Sequence, residues 1–184
     1  MKILGLDLSI AGTGVCVHND LYGYSAYTLA LPAKYGDDRL NMIRDHIYAV
    51  AAGHDFAVIE DLPKNAMAAG ITGMVQGCVR PVLRDLKIPY VKVVPSTLKK
   101  YATGNGRADK KMMTASMIEH VGRKPDTHNA ADAFWLWHLG MDHVGEPLCT
   151  IPGERRARLE VIDWTPAQDV TDAAIMRQID TQSF

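Results

Sequence analysis

Hydrophobic positions near the amino terminus fall in short runs broken by small or polar residues. Ile3, Leu4, Leu6 and Leu8 form the first run, which ends in the small residues from Ser9 to Gly14. Val15, Cys16 and Val17 follow, then the polar pair Asn19-Asp20 and a third extended stretch over residues 22–29. This pattern predicts a three-stranded antiparallel meander whose first strand is central. The period then changes: Leu40, Ile43, Ile47 and Ala51 recur at helical spacing over residues 38–52, and Gly53 ends that helix. Residues 56–59 are an unbroken apolar run, read as a buried strand closed by Glu60-Asp61. A helix is predicted over residues 66–86, with Val75, Cys78, Val79, Val82 and Leu86 on its inner face. Gly70, Gly73, Gly77 and Pro81 predict a kink or break in it.

Residues 90–94 read as another strand, and Pro95 opens a short helix to about residue 102. A loop over residues 103–106 leads to Asp109, which caps a helix running to Val121 and stopped by Gly122. The last strong helix covers residues 128–141. Strands that alternate with helices lie parallel to one another, so the whole predicts an α/β domain. Its centre is a five-stranded mixed sheet with helices on both faces. Residues 147–184 lack a repeating pattern; within them, residues 159–164 could form one short strand or a docking segment. The expected organisation is one domain over residues 1–146 and a partly ordered or docked extension over 147–184.

A chain of 184 residues is enough for one domain with a real core and falls short of two comfortable domains. No run is long enough to span a bilayer, and Asp7 stands where a signal peptide would need apolar residues. Cys16, Cys78 and Cys149 are far apart without ligand spacing, which reads as reduced thiols in a cytoplasmic protein and argues against zinc. The net charge is −1, but it is unevenly spread. Residues 80–124 carry eleven Lys/Arg and three Asp/Glu, a local 11 − 3 = +8, while residues 125–153 carry four acids and no Lys/Arg. A basic middle beside acidic flanks suits a protein that grips phosphates in one place and metals in another.

Three acids stand in apolar surroundings. Asp7 and Glu60 end two of the apolar strands, and Asp132 lies among Ala130, Ala131, Ala133 and Phe134 in the last helix. Acids are seldom placed so unless they are paired or bind a cation. Singly, Asp7 could cap a turn, Glu60 could pair with a lysine and Asp132 could face solvent. Together, on adjacent strands and a crossing helix, they would converge as hard oxygen ligands suited to Mg²⁺ or Mn²⁺. Two such ions can activate a water and neutralise a leaving oxygen in phosphodiester hydrolysis. Trp135 and Trp137 fall on opposite sides of that helix, so at least one is expected in the core, and the other could be partly exposed.

Gly5-Leu6-Asp7-Leu8-Ser9 with Gly12-Thr13-Gly14, then Val58-Ile59-Glu60, then His128-Asn129-Ala130-Ala131-Asp132-Ala133 resemble, in order, motifs of the RuvC-type Holliday junction resolvases. Between them, Val94-Pro95-Ser96 and Lys99 with Gly104-Asn105-Gly106 and Lys110 resemble that family's basic loop. The resemblance covers about the first 143 residues and implies an RNase H-like fold. It implies that Asp7, Glu60 and Asp132 hold two Mg²⁺ or Mn²⁺ ions and that Lys99 and Lys110 contact phosphates, helped by Lys100, Arg107 and Lys111. Lys110 would stabilise charge on the scissile phosphate. The implied activity is resolution of four-way junctions by paired nicks that leave 5′-phosphate and 3′-hydroxyl ends. A homodimer formed through the helix after Glu60 would act in the cytoplasm of a bacterial or phage-infected cell.

Two departures qualify what is carried over. The family's fourth ligand, three residues before the last aspartate, is here Asn129, with His128 one residue earlier; either lies near the face of Asp132, and Asn129 is preferred. The aromatic residue expected soon after the second carboxylate is absent from Asp61-Leu62-Pro63-Lys64-Asn65. Leu62 could serve as an apolar wedge and Lys64 as a DNA contact. The alternatives are a junction-binding protein that does not cut, and an RNase H-like nuclease acting on other branched DNA or on RNA. A fragment of an actin-like or sugar-kinase fold would need a second domain that 184 residues cannot supply.

Overall fold

The computed structural model describes residues 1–62 and 69–173. Five strands, β1 (Ile3–Asp7), β2 (Gly12–Asn19), β3 (Gly23–Ala30), β4 (Phe56–Glu60) and β5 (Tyr90–Val93), form one sheet in the order β3-β2-β1-β4-β5. The β1–β2 and β2–β3 pairs are antiparallel, and the β1–β4 and β4–β5 pairs are parallel. This is the predicted mixed sheet, with β1 central.

The two-residue period of the strands assigns side chains to two cores. Leu4, Leu6, Val15, Ala57 and Ile59 pack with Ile43 and Ile47 of α1 (Asp38–Ala51) and Val75, Val79 and Leu83 of α2 (Ala69–Asp85). Ile3, Cys16, Phe56, Val58, Val91 and Val93 face the other way. There they meet α3 (Pro95–Thr103), α4 (Lys110–Val121) and α5 (His128–His143). Helices therefore cover both faces. Pro81 lies inside α2, which runs without the expected break from Ala69 to Asp85; Cys78 and Leu86 are only half-buried, and Leu83 takes an inner position instead.

The α5 helix lies flat against β1 and β2 because glycines let it. A Cβ on Gly5 would come within 2.3 Å of the Ala133 carbonyl oxygen, and one on Gly14 within 2.1 Å of that of Asn129. From Ala133 to Asp142 every α5 residue is buried. Trp135 and Trp137 are both in the core, which corrects the expectation that one could be partly exposed. Trp135 is enclosed by α3 and α4 as well as α5: its ring meets Tyr101 and His120 edge-on, and its Nε1–H donates to the Met113 carbonyl.

Residues 159–164 form no strand. The extension makes a short helix α6 (Gly153–Arg156) and two 3₁₀ turns, Ala157–Val161 and Thr165–Ala167. Ile151, Trp164 and Ala167 enter the core beneath α5, with Trp164 stacked on His143 at 3.8 Å between ring centres. Among the described residues, no helix is long and apolar enough to cross a membrane.

Candidate active site

Asp7 and Glu60 are the last residues of parallel neighbours β1 and β4, whose register pairs Leu6 with Ile59. One further step along each strand puts both carboxylates on the α5 face, where the alternation Ile3, Gly5, Asp7 and Phe56, Val58, Glu60 directs them. Asp132 comes from the second turn of α5, which is pinned there because the Nδ2–H of Asn129 donates to the Gly12 carbonyl at 2.5 Å. Thr127 caps the helix by accepting from the Ala130 N–H. All three acids line one cleft of about 340 Å³, together with Ser9, Asp109, Asn129, Lys99 and Lys110.

Burial and mutual repulsion act on these acids together. Burial, then Glu60 and Asp132, raise the Asp7 carboxyl well above its ordinary range, against the pull of Lys110. Glu60 is pushed up to about 7 by burial and by Asp132. Asp132 is pushed up to about 6 by burial, with Lys99 and Lys110 pulling it down. Asp132 Oδ1 is buried and has no hydrogen-bond partner. Among the described residues no three His, Cys, Asp or Glu side chains are gathered into a ready-made metal cage. Among the described residues, the carboxylates share a cleft with Lys99 and Lys110 and raise one another's pKa without closing into such a cage.

The remaining expected residues divide between the cleft and its surroundings. Asn129 is in the cleft. His128 is not among the cleft-lining residues; it accepts a 2.6 Å hydrogen bond from Lys110 Nζ and lines a neighbouring depression with Lys110 and Lys111. Burial and Lys110 together lower its pKa. Lys100, Arg107 and Lys111 are exposed around the loop between α3 and α4. Leu62 is half-buried, and its Cδ1 lies 3.8 Å from where a Cβ on Gly73 would stand. Lys64 lies outside the described residues. A larger groove, about 620 Å³, runs along the β5 edge past Asp61, Arg80, Arg84 and Lys92, but none of the three acids enters it.

Two features of the site were not singled out from the sequence, one lining the cleft and one behind it. Asp109 was read only as a helix cap, which it is through the Met112 N–H, yet it also lines the cleft. Gln76 is buried in α2 and donates to the Glu60 carbonyl at 2.9 Å, fixing the end of β4. A glutamine next to Val75 in an otherwise apolar stripe was the available signal.

No family model matches the sequence. The crossover junction endodeoxyribonuclease RuvC of Gloeobacter violaceus is 29% identical over 157 residues, covering 76% of this chain and 90% of that protein. Its counterpart from Oleidesulfovibrio alaskensis is 28% identical over 153 residues, covering 77% and 92%. The protein of the same name from Wolbachia sp. subsp. Drosophila simulans is 28% identical over 146 residues, covering 72% and 89%. In structure, Thermus thermophilus RuvC in complex with Holliday junction substrate superposes with a TM-score of 0.64 at 17% identity, covering 83% of this chain and 99% of that one. A further Thermus thermophilus RuvC structure gives 0.59 at 18%, covering 83% and 100%. The fold is RNase H-like, and over 72–77% of its length the chain is similar to the crossover junction endodeoxyribonucleases whose motifs it resembles.

Proposed function

We propose that this protein is a divalent-metal-dependent, structure-selective DNA endonuclease that resolves four-way junctions by paired nicks, leaving 5′-phosphate and 3′-hydroxyl ends. One observation carries this reading: three carboxylates from two adjacent strand ends and a crossing helix share a cleft rimmed by Lys99 and Lys110. The relatives that it matches are crossover junction endodeoxyribonucleases by name. The catalytic unit is residues 1–146, with 147–184 as a docked extension.

The cleft fits hard divalent cations. Its donors are oxygens, one of them a buried carboxylate atom without a partner, and the raised pKa values of all three acids mark a site short of positive charge. Asp7, Glu60 and Asp132 would hold Mg²⁺ or Mn²⁺. Asn129 is the fourth ligand in preference to His128, its Oδ1 remaining available while Nδ2 is committed to Gly12. When bound, a pair of such ions supplies an activated water and neutralises charge on the leaving oxygen. Lys99 and Lys110 hold the phosphates at the rim, and Lys110 offsets charge developing on the scissile phosphate. Lys100, Arg107 and Lys111 extend that grip along the loop.

A two-fold dimer would present two such clefts to opposed strands of a junction. The outer side of α2 suits the contact: Gly70, Ile71, Met74 and Gly77 are exposed, and a Cβ on either glycine would meet nothing within 4 Å. The site of action is the cytoplasm of a bacterial or phage-infected cell.

The test is a cleavage panel of four-way junction, flap, fork and RNA–DNA hybrid, run with Mg²⁺ and with Mn²⁺. The junction should be cut in paired nicks, and Asp7→Asn or Asp132→Asn should abolish cutting while binding persists. Full activity in both variants would remove the carboxylates from the chemistry. A second reading, a junction-binding protein that does not cut, is favoured by the ungathered carboxylates and by the neutral Asn129. It predicts junction binding without products in either metal.

A further inference from the structure

A second buried polar cluster, unrelated to the carboxylates, joins the extension to α3 and α5. Tyr101 donates its hydroxyl to Asp142 Oδ2 at 2.9 Å and lies 2.8 Å from His138 Nδ1. With the tyrosine proton committed to Asp142, His138 Nδ1–H must be the donor to the tyrosine oxygen. His138 Nε2 is then free to accept from the Cys149 N–H at 3.2 Å. This arrangement requires a neutral imidazole, and burial lowers the His138 pKa to about 4. Arg156 completes the cluster with a 2.8 Å bond from Nε to Asp142 Oδ1. Each of these groups is thereby satisfied, and the extension is fastened to α5.

Arg155, the neighbouring residue, reaches the other way. Its Nε donates to the Tyr101 carbonyl at 2.9 Å, its Nη2 donates to the Ala102 carbonyl, and its Nη1 stands 3.4 Å from His120 Nε2 of α4. These two carbonyls belong to the last turn of α3, where helix geometry leaves acceptors without intrahelical partners. A guanidinium there satisfies both and sets a positive charge on the negative end of the helix. Ser116 of α4 donates to the same Ala102 carbonyl, so α3, α4 and the extension meet at one point. On either side of that point are the two cleft lysines, Lys99 within α3 and Lys110 at the first position of α4.

We propose that Arg155 is a positioning residue for DNA binding: by capping α3 from the extension it fixes the loop over residues 103–109 and the spacing of Lys99 and Lys110. This rests on the nuclease reading for its consequence, though not for its mechanics. The extension is then a working part of the phosphate grip, although Arg155 itself touches carbonyls rather than DNA.

The test uses the full chain carrying Arg155→Ala, Arg155→Lys and, as a charge control, Lys34→Ala, an exposed lysine in the turn between β3 and α1. Amide hydrogen exchange of residues 103–109 is measured without DNA, and KM and kcat on a four-way junction separately. In Arg155→Ala, exchange in that loop should rise at least tenfold and KM about tenfold, with kcat within threefold. Arg155→Lys, which keeps the charge but not the planar fork, should recover only part of the KM and part of the protection. It also serves if the alanine variant does not fold. Lys34→Ala should match the wild type in every measurement. Unchanged loop exchange would overturn the proposal; with a raised KM it would instead mean that Arg155 contacts DNA directly. Complete recovery by lysine would overturn it as well, assigning the effect to charge. Faster exchange in a protein that binds no branched DNA would uphold the loop coupling and sink the nuclease reading.

Discussion

Replacing Gly14 by alanine tests whether the sheet–helix contact sets the catalytic geometry. The added Cβ would stand 2.1 Å from the Asn129 carbonyl oxygen, 2.7 Å from its carbonyl carbon and 3.2 Å from Ala133 Cβ, whereas ordinary contact begins near 3.4 Å. Gly14 does not need a glycine-only backbone angle, so the obstacle is space alone. The blocking atoms are helix backbone and cannot rotate away, so the start of α5 must withdraw by about 1 Å. Overpacking of this kind costs about 1–3 kcal/mol, or roughly 3–10 °C in melting temperature for a chain of this size. The moving turn carries Asn129 and Asp132, and a displacement of about 1 Å at reacting groups lowers rates by roughly 100-fold. Calorimetry and single-turnover cleavage of a four-way junction measure the two effects. Gly12→Ala should be milder, because its Cβ meets the ends of two side chains, Asn129 Nδ2 at 2.9 Å and Thr28 Cγ2 at 3.2 Å. Gly153→Ala, with nothing within 4 Å, is the control. A Gly14→Ala protein that melts within 1 °C of the wild type and cuts at its rate would refute the reasoning.

Three further outcomes are expected. Because burial raises Asp7, Glu60 and Asp132, the folded metal-free protein binds more protons than the unfolded chain from about pH 4 to 7, and its stability falls as pH rises through that window. Without metal it should melt several degrees higher at pH 5 than at pH 8, with Mn²⁺ recovering the difference at pH 8 and Asp132→Asn flattening the profile; a higher melting point at pH 8 without metal would contradict the assignment. Lys99→Ala with Lys110→Ala should weaken junction binding and reduce the slope of log affinity against log salt by about 2, and an unchanged slope in binding titrations would take both lysines out of the interface. Met74→Glu on the open side of α2 should leave a folded monomer in sedimentation at micromolar concentration, with paired nicking reduced to single nicks; a dimer that persists would place the interface elsewhere.

The frame of the cleft was legible because strand alternation and polar intruders are local signals. Ile3 to Leu8 and residues 56–59 alternate into two cores, and the acids that end them stand out for the same reason. Asp132 was conspicuous among alanines, whereas the close approach of α5 to the glycines of β1 and β2 emerged only in the structure. The misreadings have a common physical source in contacts between residues distant in sequence. Trp135 and Trp137 diverge on a helical wheel, but α3, α4 and the extension cover the side that a two-layer picture leaves open. The extension itself has no periodic signal because it is held by single anchors, Ile151, Trp164 and Arg155, and Arg155 finds its carbonyl partners more than fifty residues back in the chain. Break signals in α2 were overruled in a similar way: Val75, Val79, Val82 and Leu83 are buried against the sheet and α1, and that packing outweighs the weak propensity of its glycines and Pro81.

Three desolvated carboxylates sharing one cleft without a cation are a net liability, and no hydrogen bond to Asp132 Oδ1 relieves it. What keeps them together lies outside the cleft. β1 and β4 are inner strands of the sheet, and α5 is buried from Ala133 to Asp142, locked against Gly5 and Gly14 on one side and tied through His138 and Asp142 to the extension on the other. The positions of the backbone at Asp7, Glu60 and Asp132 are therefore set by contacts outside the cleft that do not depend on its charge. A divalent cation has only side-chain rotations left to organise, so removing it should loosen the carboxylates while the strands and α5 stay in place. That division suits a nuclease, since sites built on rigid elements keep their reacting groups in register through each cycle of binding and release.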